Sequence, residues 1–203
     1  MSTIVSLETN PVSQSASERL FRRAHTAYHF TPDLVSDAEL AEIYDLVRHA
    51  PTAMNSQPLR ITYLRSDEAK SRLIPHLYEA NRPKSLSAPV VAILAADTDF
   101  HEHLPRLLPQ SPDAKARFED ADARAKAATF NANIQAGYFI LAARTVGLDV
   151  GPMGGFDSAG VDAEFFNGTA QKSFLIVNLG HVSQTGTFPR NPRLEHHEAV
   201  TSL

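Results

Sequence analysis

The sequence predicts a mixed fold of helices and strands, α/β or α+β, in a single domain. Helical spacing of apolar residues outweighs strict alternation along the chain, the strand-like runs are mostly separated by helical ones, and neither a repeat nor a linker divides the 203 residues. About 100 to 200 residues is the usual domain size, so this chain can bury a core of its own. With 43% hydrophobic and 21% charged residues, the composition excludes a largely disordered chain.

Residues 1–17 are rich in Ser and Thr, include Pro11 and show no period; they are expected to form a tail ahead of a domain over 18–203. A helical stretch begins near Ser17 and carries Leu20, Phe21, Arg22 and Arg23. The next helix starts at a capping box, Ser36 with Glu39, and shows an apolar face of Leu40, Ile43, Val47 and Ala50 before Pro51 stops it. After the turn Thr52-Ala53-Met54-Asn55-Ser56-Gln57-Pro58, the alternation Leu59, Ile61, Tyr63 reads as a half-buried strand. A short helix is expected over Asp67 to Leu77, and a strand buried on both faces from Pro89 to Leu94.

From Phe100 to Phe118 the prolines at 105, 109 and 112 predict irregular chain of the kind found in lids and binding loops. A long Pro-free helix then runs from Asp113 or Glu119 to Val146. Its second half is apolar on most sides, as befits a helix entering a core or an interface, and Gly147 is placed to cap it. Gly151 to Asp157 reads as a glycine-rich loop, followed by a helix from Ser158 to Phe166 and a buried strand from Phe174 to Gly180.

The chain has no Cys, which excludes disulfides, a thiolate nucleophile and iron–sulfur chemistry. A net charge of −4 without a Lys/Arg run lacks the footprint of sequence-independent nucleic-acid binding. The longest apolar run, Ala88 to Ala96, is far short of the roughly 18 residues of a membrane span. No basic residue precedes an apolar stretch at the N-terminus, so no secretory signal is expected and a cytoplasmic location is the default.

Four segments carry candidate chemistry, each with an ordinary structural reading beside it. Arg22 and Arg23 could form forks for phosphate or carboxylate, or be solvated surface arginines. Asn55, Ser56 and Gln57 could read the polar edge of a heterocycle, or simply connect helix to strand. Gly154 and Gly155 could present backbone N–H groups to a ligand, although their spacing is not the dinucleotide fingerprint. Asn81 and Lys84 lie on one side of a helix end. His101 and His103 flanking Glu102, and His196, His197 and Glu198, lack the i, i+4 spacing of a helical zinc site, and no metal is expected. No nucleophile, acid or base stands out, as in proteins whose cofactor carries the chemistry.

In order, these segments resemble the nitroreductase family of flavin enzymes. Arg22-Arg23-Ala24-His25-Thr26 resembles the family's Arg-Arg-Ser-x-basic opening, Ala50-Pro51-Thr52-Ala53-Met54-Asn55-Ser56-Gln57-Pro58 its Ala-Pro-Ser-x-x-Asn-Ser-Gln-Pro turn, and Gly147 to Asp157 its Gly-Leu-…-Pro-…-Gly-Phe loop. The resemblance runs from Glu18 to Ala199. It departs from the family pattern at Ala24, often Ser; Thr26, often basic; Gly154, often Glu; and near Phe188, often Lys.

The resemblance implies an α+β fold, a central mainly antiparallel sheet wrapped by helices, in an intertwined homodimer whose core is the long helix. It implies an FMN-dependent oxidoreductase, with NADPH or NADH as hydride donor and an aldehyde, nitro compound or quinone as acceptor. Residue by residue, Arg22, Arg23, Ala24, Thr26 and Arg190 would surround the FMN phosphate. Asn81 and Lys84 would hold the pyrimidine edge and ribityl region, and Pro152, Met153, Gly154 and Gly155 one flank of the isoalloxazine. The partner subunit would add Pro51, Thr52, Ala53, Asn55 and Gln57. The Gly154 N–H would point at flavin N5, through which hydride passes in ping-pong turnover. The loop Gly-Pro-Met-x-Gly-Phe-Asp is similar to that of members reducing malonic semialdehyde to 3-hydroxypropanoate, which is the specific expectation. Broad nitroaromatic or quinone reduction and non-catalytic flavin binding are the alternatives. For a substrate carboxylate, Arg60, His103 and Arg106 are the candidate cations.

Overall fold

The structure, a computed structural model, describes residues 11–203. The first ten residues of the expected tail lie outside the described residues. Four strands, β1 (Leu59–Leu64), β2 (Val90–Asp97), β3 (Asp149–Met153) and β4 (Gln171–Gly180), form one sheet in the order β1-β2-β4-β3. Every pairing is antiparallel. The fold is therefore α+β, with helices on both faces of an antiparallel sheet.

Strand β2 sets the layers, because its alternate side chains enter two different cores. Val90, Ala92 and Leu94 pack on one face with Val177, Leu179 and the apolar sides of α2 (Asp37–Val47) and α6 (Ala121–Thr145). Val91, Ile93 and Ala95 pack on the other with Leu73, Leu77, Val161 and Phe166. Those residues come from α3 (Asp67–Leu73), α7 (Ser158–Phe165) and the turns that follow them. A strand covered on both sides has no use for polar residues, which is why 90–96 read as a continuous apolar run.

Helix α2 begins as expected. Ser36 Oγ accepts the Glu39 N–H, and the Glu39 carboxylate accepts the Ser36 N–H at 2.7 Å. It ends at Val47, before Pro51, because the amides of His49 and Ala50 turn back to carbonyls three residues earlier. Helix α6 spans 25 residues behind the Asp120 N-cap, and Gly147 closes its exit at φ +98. Its apolar second half is only partly buried: Phe139, Ala142 and Ala143 enter the core, whereas Phe130 and Tyr138 face outward.

Several elements differ from the sequence expectation. Helical structure starts at α1 (Gln14–Ser17), three residues early, because Ser13 caps it, and continues as a π-turn over Glu18–Arg22. Helix α3 gives way to a 3-10 turn at Ile74–His76, where Pro75 stands. The segment from Phe100 to Phe118 is mostly helical, built from turns at Phe100–His103 and Pro112–Phe118 and the short α5 (Leu104–Leu107). Pro105 and Pro112 occupy helix starts, where a missing N–H costs nothing. Gly151, Pro152 and Met153 are not loop but strand β3; it is the sheet's edge, where a proline is tolerated. A Cβ on Gly151 would meet the Ala27 carbonyl oxygen at 2.5 Å, so the glycine serves close packing of the N-terminal segment.

Candidate functional site

Two cavities share no lining residue, and α6 runs past both. Gln135 lines the larger one and Arg144 the smaller, nine residues or about 13 Å further along the helix axis.

The smaller cavity, about 350 Å³, is walled by Ala24, His25, Thr26, Tyr28, Phe188 and Arg190 together with Arg144 and Arg193. Its cations are fixed by backbone carbonyls. Arg190 donates to Arg22 O and Ala24 O at 2.9 and 2.7 Å, and Arg144 to Leu20 O at 3.0 Å. Burial pushes the Arg144 guanidinium below the usual arginine range, with Asp149 opposing that shift and Arg19 and Arg190 adding to it. Arg19 ties the N-terminal π-turn to the end of α6 by donating to the carbonyls of Arg144 and Leu148. The side chains of Arg22 and Arg23 do not line this cavity; Arg22 pairs with Glu18 at 3.5 Å, and both are exposed. Sequence reasoning missed Arg144 because a basic residue in a helix's last turn reads as an ordinary dipole partner.

Helix α4 (Arg82–Ser87) joins this cavity to the end of β3. Asn81, just before it, donates to Gly155 O at 2.8 Å, and Ser85 Oγ lies 3.9 Å from Met153 Sδ. The Lys84 ammonium sits 5.0 Å from the centroid of Tyr28, whose ring also lines the cavity. Lys84 is buried, and its amine reaches no oxygen acceptor among the described residues; burial lowers its pKa. Gly154 faces open space, with nothing within 4 Å of an added Cβ, and its N–H donates to no acceptor among the described residues. Gly155 is the opposite case: a Cβ there would stand 2.7 Å from Asn81 Nδ2. Neither glycine has a positive φ, so space and not backbone freedom is their role.

The larger cavity, about 960 Å³, is lined by the turn residues Pro51, Thr52, Asn55 and Gln57, by Leu59, Arg60, Ile61 and Tyr63 of β1, and by His103 and Arg106. Ala53 does not line it; its N–H donates to Asn131 Oδ1 at 2.7 Å. The turn is strained. Met54, Asn55 and Gln57 have φ of +56, +52 and +42, in the left-handed region that disfavours side chains. It is held there by its own network: Thr52 Oγ1 accepts the Gln57 N–H, Gln57 Nε2 donates to Asn55 Oδ1 at 2.7 Å, and Asn55 Nδ2 donates to Leu107 O at 2.8 Å. Strain retained by so many supports marks a turn kept for its shape.

Of the histidine groups, only His103 reaches this arrangement. His101 contacts Glu102 at 3.5 Å, and no three metal-binding side chains converge among the described residues. Among those residues, too, no helix is long and apolar enough to cross a membrane.

An antiparallel four-stranded sheet with helices on both faces, an arginine-lined cavity and a strained Asn-Ser-Gln turn define an α+β protein with a built binding site. The nitroreductase family profile matches residues 21–181, and the chain belongs to that family. It is 53% identical over 190 residues to a Streptomyces coelicolor protein named "putative NADH dehydrogenase/NAD(P)H nitroreductase", covering 93% of this chain and 94% of that one. A Leptothrix cholodnii protein of the same name is 45% identical over 196 residues, covering 96% of this chain and all of its own. In fold, the chain superposes on the crystal structure of an Exiguobacterium sibiricum "putative nitroreductase in complex with FMN" with a TM-score of 0.82. That match has 19% identity and covers 96% of this chain and 100% of the other.

Proposed function

We propose that the protein is an FMN-dependent NAD(P)H oxidoreductase acting as a homodimer in the cytoplasm, and that its acceptor is malonic semialdehyde, reduced to 3-hydroxypropanoate. One observation carries the cofactor reading: an unused backbone N–H, an acceptor-free amine and three guanidinium groups, each anchored to backbone carbonyls, line a continuous path. The open N–H of Gly154, the acceptor-free amine of Lys84 and the guanidinium groups of Arg144, Arg190 and Arg193 follow one another through Asn81 and Tyr28.

These residues fit FMN. Arg190, Arg144 and Arg193, with the rim at Ala24 and Thr26, offer charge-assisted donors for a dianionic phosphate. The sequence departures at Thr26 and Phe188 are thus matched by cations from α6 and the C-terminal segment; Arg22 and Arg23 contribute as exposed charge nearby. Lys84 stabilises negative charge at the pyrimidine edge, where burial makes its ammonium count for more. Asn81 fixes the Gly155 carbonyl, which keeps Pro152, Met153 and Gly154 in place as one wall. When bound, FMN supplies a hydride-accepting and hydride-donating N5 for ping-pong exchange between NAD(P)H and the second substrate.

Pro51, Thr52, Asn55 and Gln57 line a different cavity from Arg190, which supports a site completed by the same turn, Ala53 included, of a second copy. The outward aromatics Phe130 and Tyr138 on α6 support burial of that helix between subunits. No side chain is assigned as acid or base, and the proton that accompanies hydride transfer to the carbonyl comes from water.

The FMN-loaded protein is tested with NADPH or NADH and one acceptor of each class: malonic semialdehyde, a quinone and a nitroaromatic. The aldehyde is expected to give the highest kcat/KM. If no acceptor sustains NAD(P)H oxidation, the enzyme reading fails; if NAD(P)H does not bleach the bound flavin without oxygen, the protein is a non-catalytic flavin binder.

A further inference from the structure

The wall of the larger cavity has one sign of charge. Arg48, His49, Arg60, His103 and Arg106 line it, and among the described residues no Asp or Glu does. Two of the arginines already have acidic partners: Arg60 donates to Asp97 at 2.6 Å and to the carbonyls of Gln57 and Leu59, and Arg48 pairs with Asp45 at 3.5 Å. Arg106 has neither an acidic partner nor a hydrogen bond among the described residues.

Its backbone is nevertheless fixed. Leu104 is fully buried beside Phe100, and the carbonyl of Leu107 accepts the Asn55 side chain. A permanently charged guanidinium on a firm support, facing a cavity without carboxylates, favours an anion.

The uncharged lining has the same preference. Gln135 is only 3% exposed; its Oε1 accepts the Leu59 N–H at 3.0 Å, and its Nε2 donors have no acceptor among the described residues. Tyr63 also lines the cavity, with its hydroxyl turned into the protein, where it has no hydrogen-bond partner among the described residues. An idle carboxamide N–H in the lining and an unpaired arginine in the wall ask for acceptor oxygens from a ligand.

Resting on the oxidoreductase reading, we propose that Arg106, assisted by His103, is the specificity determinant that binds the anionic end of a carboxylate-bearing acceptor. Of the three candidate cations in the sequence, Arg60 is excluded by its pairing with Asp97. Arg106 discriminates between acceptors by charge, since a neutral analogue leaves the guanidinium without a counter-charge.

The test uses the FMN-loaded protein with 4-nitrobenzoate and 4-nitrobenzamide, acceptors of similar shape and different charge. The wild type is expected to favour the anion. Arg106→Ala is expected to raise KM for 4-nitrobenzoate at least tenfold, while KM for 4-nitrobenzamide, KM for NADPH and the flavin absorbance stay within twofold; Arg106→Lys should recover part of the loss. Equilibrium binding of benzoate, which needs no turnover, should weaken by the same factor. Equal losses for both acceptors, a wild type indifferent to charge, or unchanged benzoate binding overturn the proposal. So does a selective loss for NADPH, which would assign Arg106 to the nucleotide phosphate. Absence of turnover in the wild type, with benzoate binding that still depends on Arg106, would sink the oxidoreductase reading and leave the anion subsite standing.

Discussion

The carboxamide oxygen of Asn131 accepts the backbone N–H of Ala53 at 2.7 Å, and one helical turn further on Gln135 does the same for Leu59. Two buried amides on one face of α6 thus grip both ends of the strained turn. Asn131→Ala leaves the Ala53 N–H unsatisfied and is expected to cost about 1–3 kcal/mol. Thermal melts should fall by about 2–4 °C for each kcal/mol in a chain of this size. KM for the acceptor should rise as well, because the turn lines the cavity.

Gly154 and Gly155 should respond differently to the same substitution. Gly154→Ala places its Cβ in open space and should leave the melting temperature unchanged while weakening flavin binding. Gly155→Ala drives Cβ against Asn81 and the Tyr78 ring and should destabilise the protein by about 1–3 kcal/mol. Melts of the flavin-free variants, set beside flavin titrations, separate the two effects.

Lys84 buries an ammonium without an oxygen partner. Lys84→Met removes that desolvated charge at similar volume, so the flavin-free protein should be as stable as the wild type or more so. FMN affinity should fall at least tenfold. A flavin-free variant that melts well below the wild type would show Lys84 to be structural.

The capping box at α2 makes stability depend on acid. Hydrogen bonds from the Ser36 backbone and hydroxyl hold the Glu39 carboxyl below its ordinary value of 4.5. Its contribution is therefore present above that pH and lost as pH falls through the lower folded value. Ser36→Ala should cost about 1 kcal/mol at neutral pH. The difference between wild type and Glu39→Ala in urea melts should shrink from pH 7 to about pH 3.

Where local chemistry determines structure, the sequence was readable. Ser36 and Glu39 announce α2, Gly147 closes α6, and the unbroken apolar run of β2 announces burial on both faces. What depends on neighbours was not. Pro152 reads as loop until β3 is known to be an edge strand, and Pro105 and Pro112 read as breakers until each is seen to start a helix. Of the candidate site, the turn at 51–57, the Asn81 and Lys84 pair and the glycines at 154 and 155 were visible as motifs, whereas the hydrogen bond that joins Asn81 to Gly155 was not. Arg144 was hidden in the pattern of a helix end, and the difference between Arg60 and Arg106 depends on Asp97, whose distance from each no spacing reveals.

Helix α6 is in phase with the rest of the molecule at three points, Asn131, Gln135 and Arg144. Each residue of an α-helix advances the face by about 100°. A deletion of one residue between 135 and 144 would turn Arg144 a quarter-circle or more away from the Leu20 carbonyl even if every other side chain were kept. This stretch can therefore vary at its exposed positions but not in length, and natural insertions should fall before Asp120 or after Gly147.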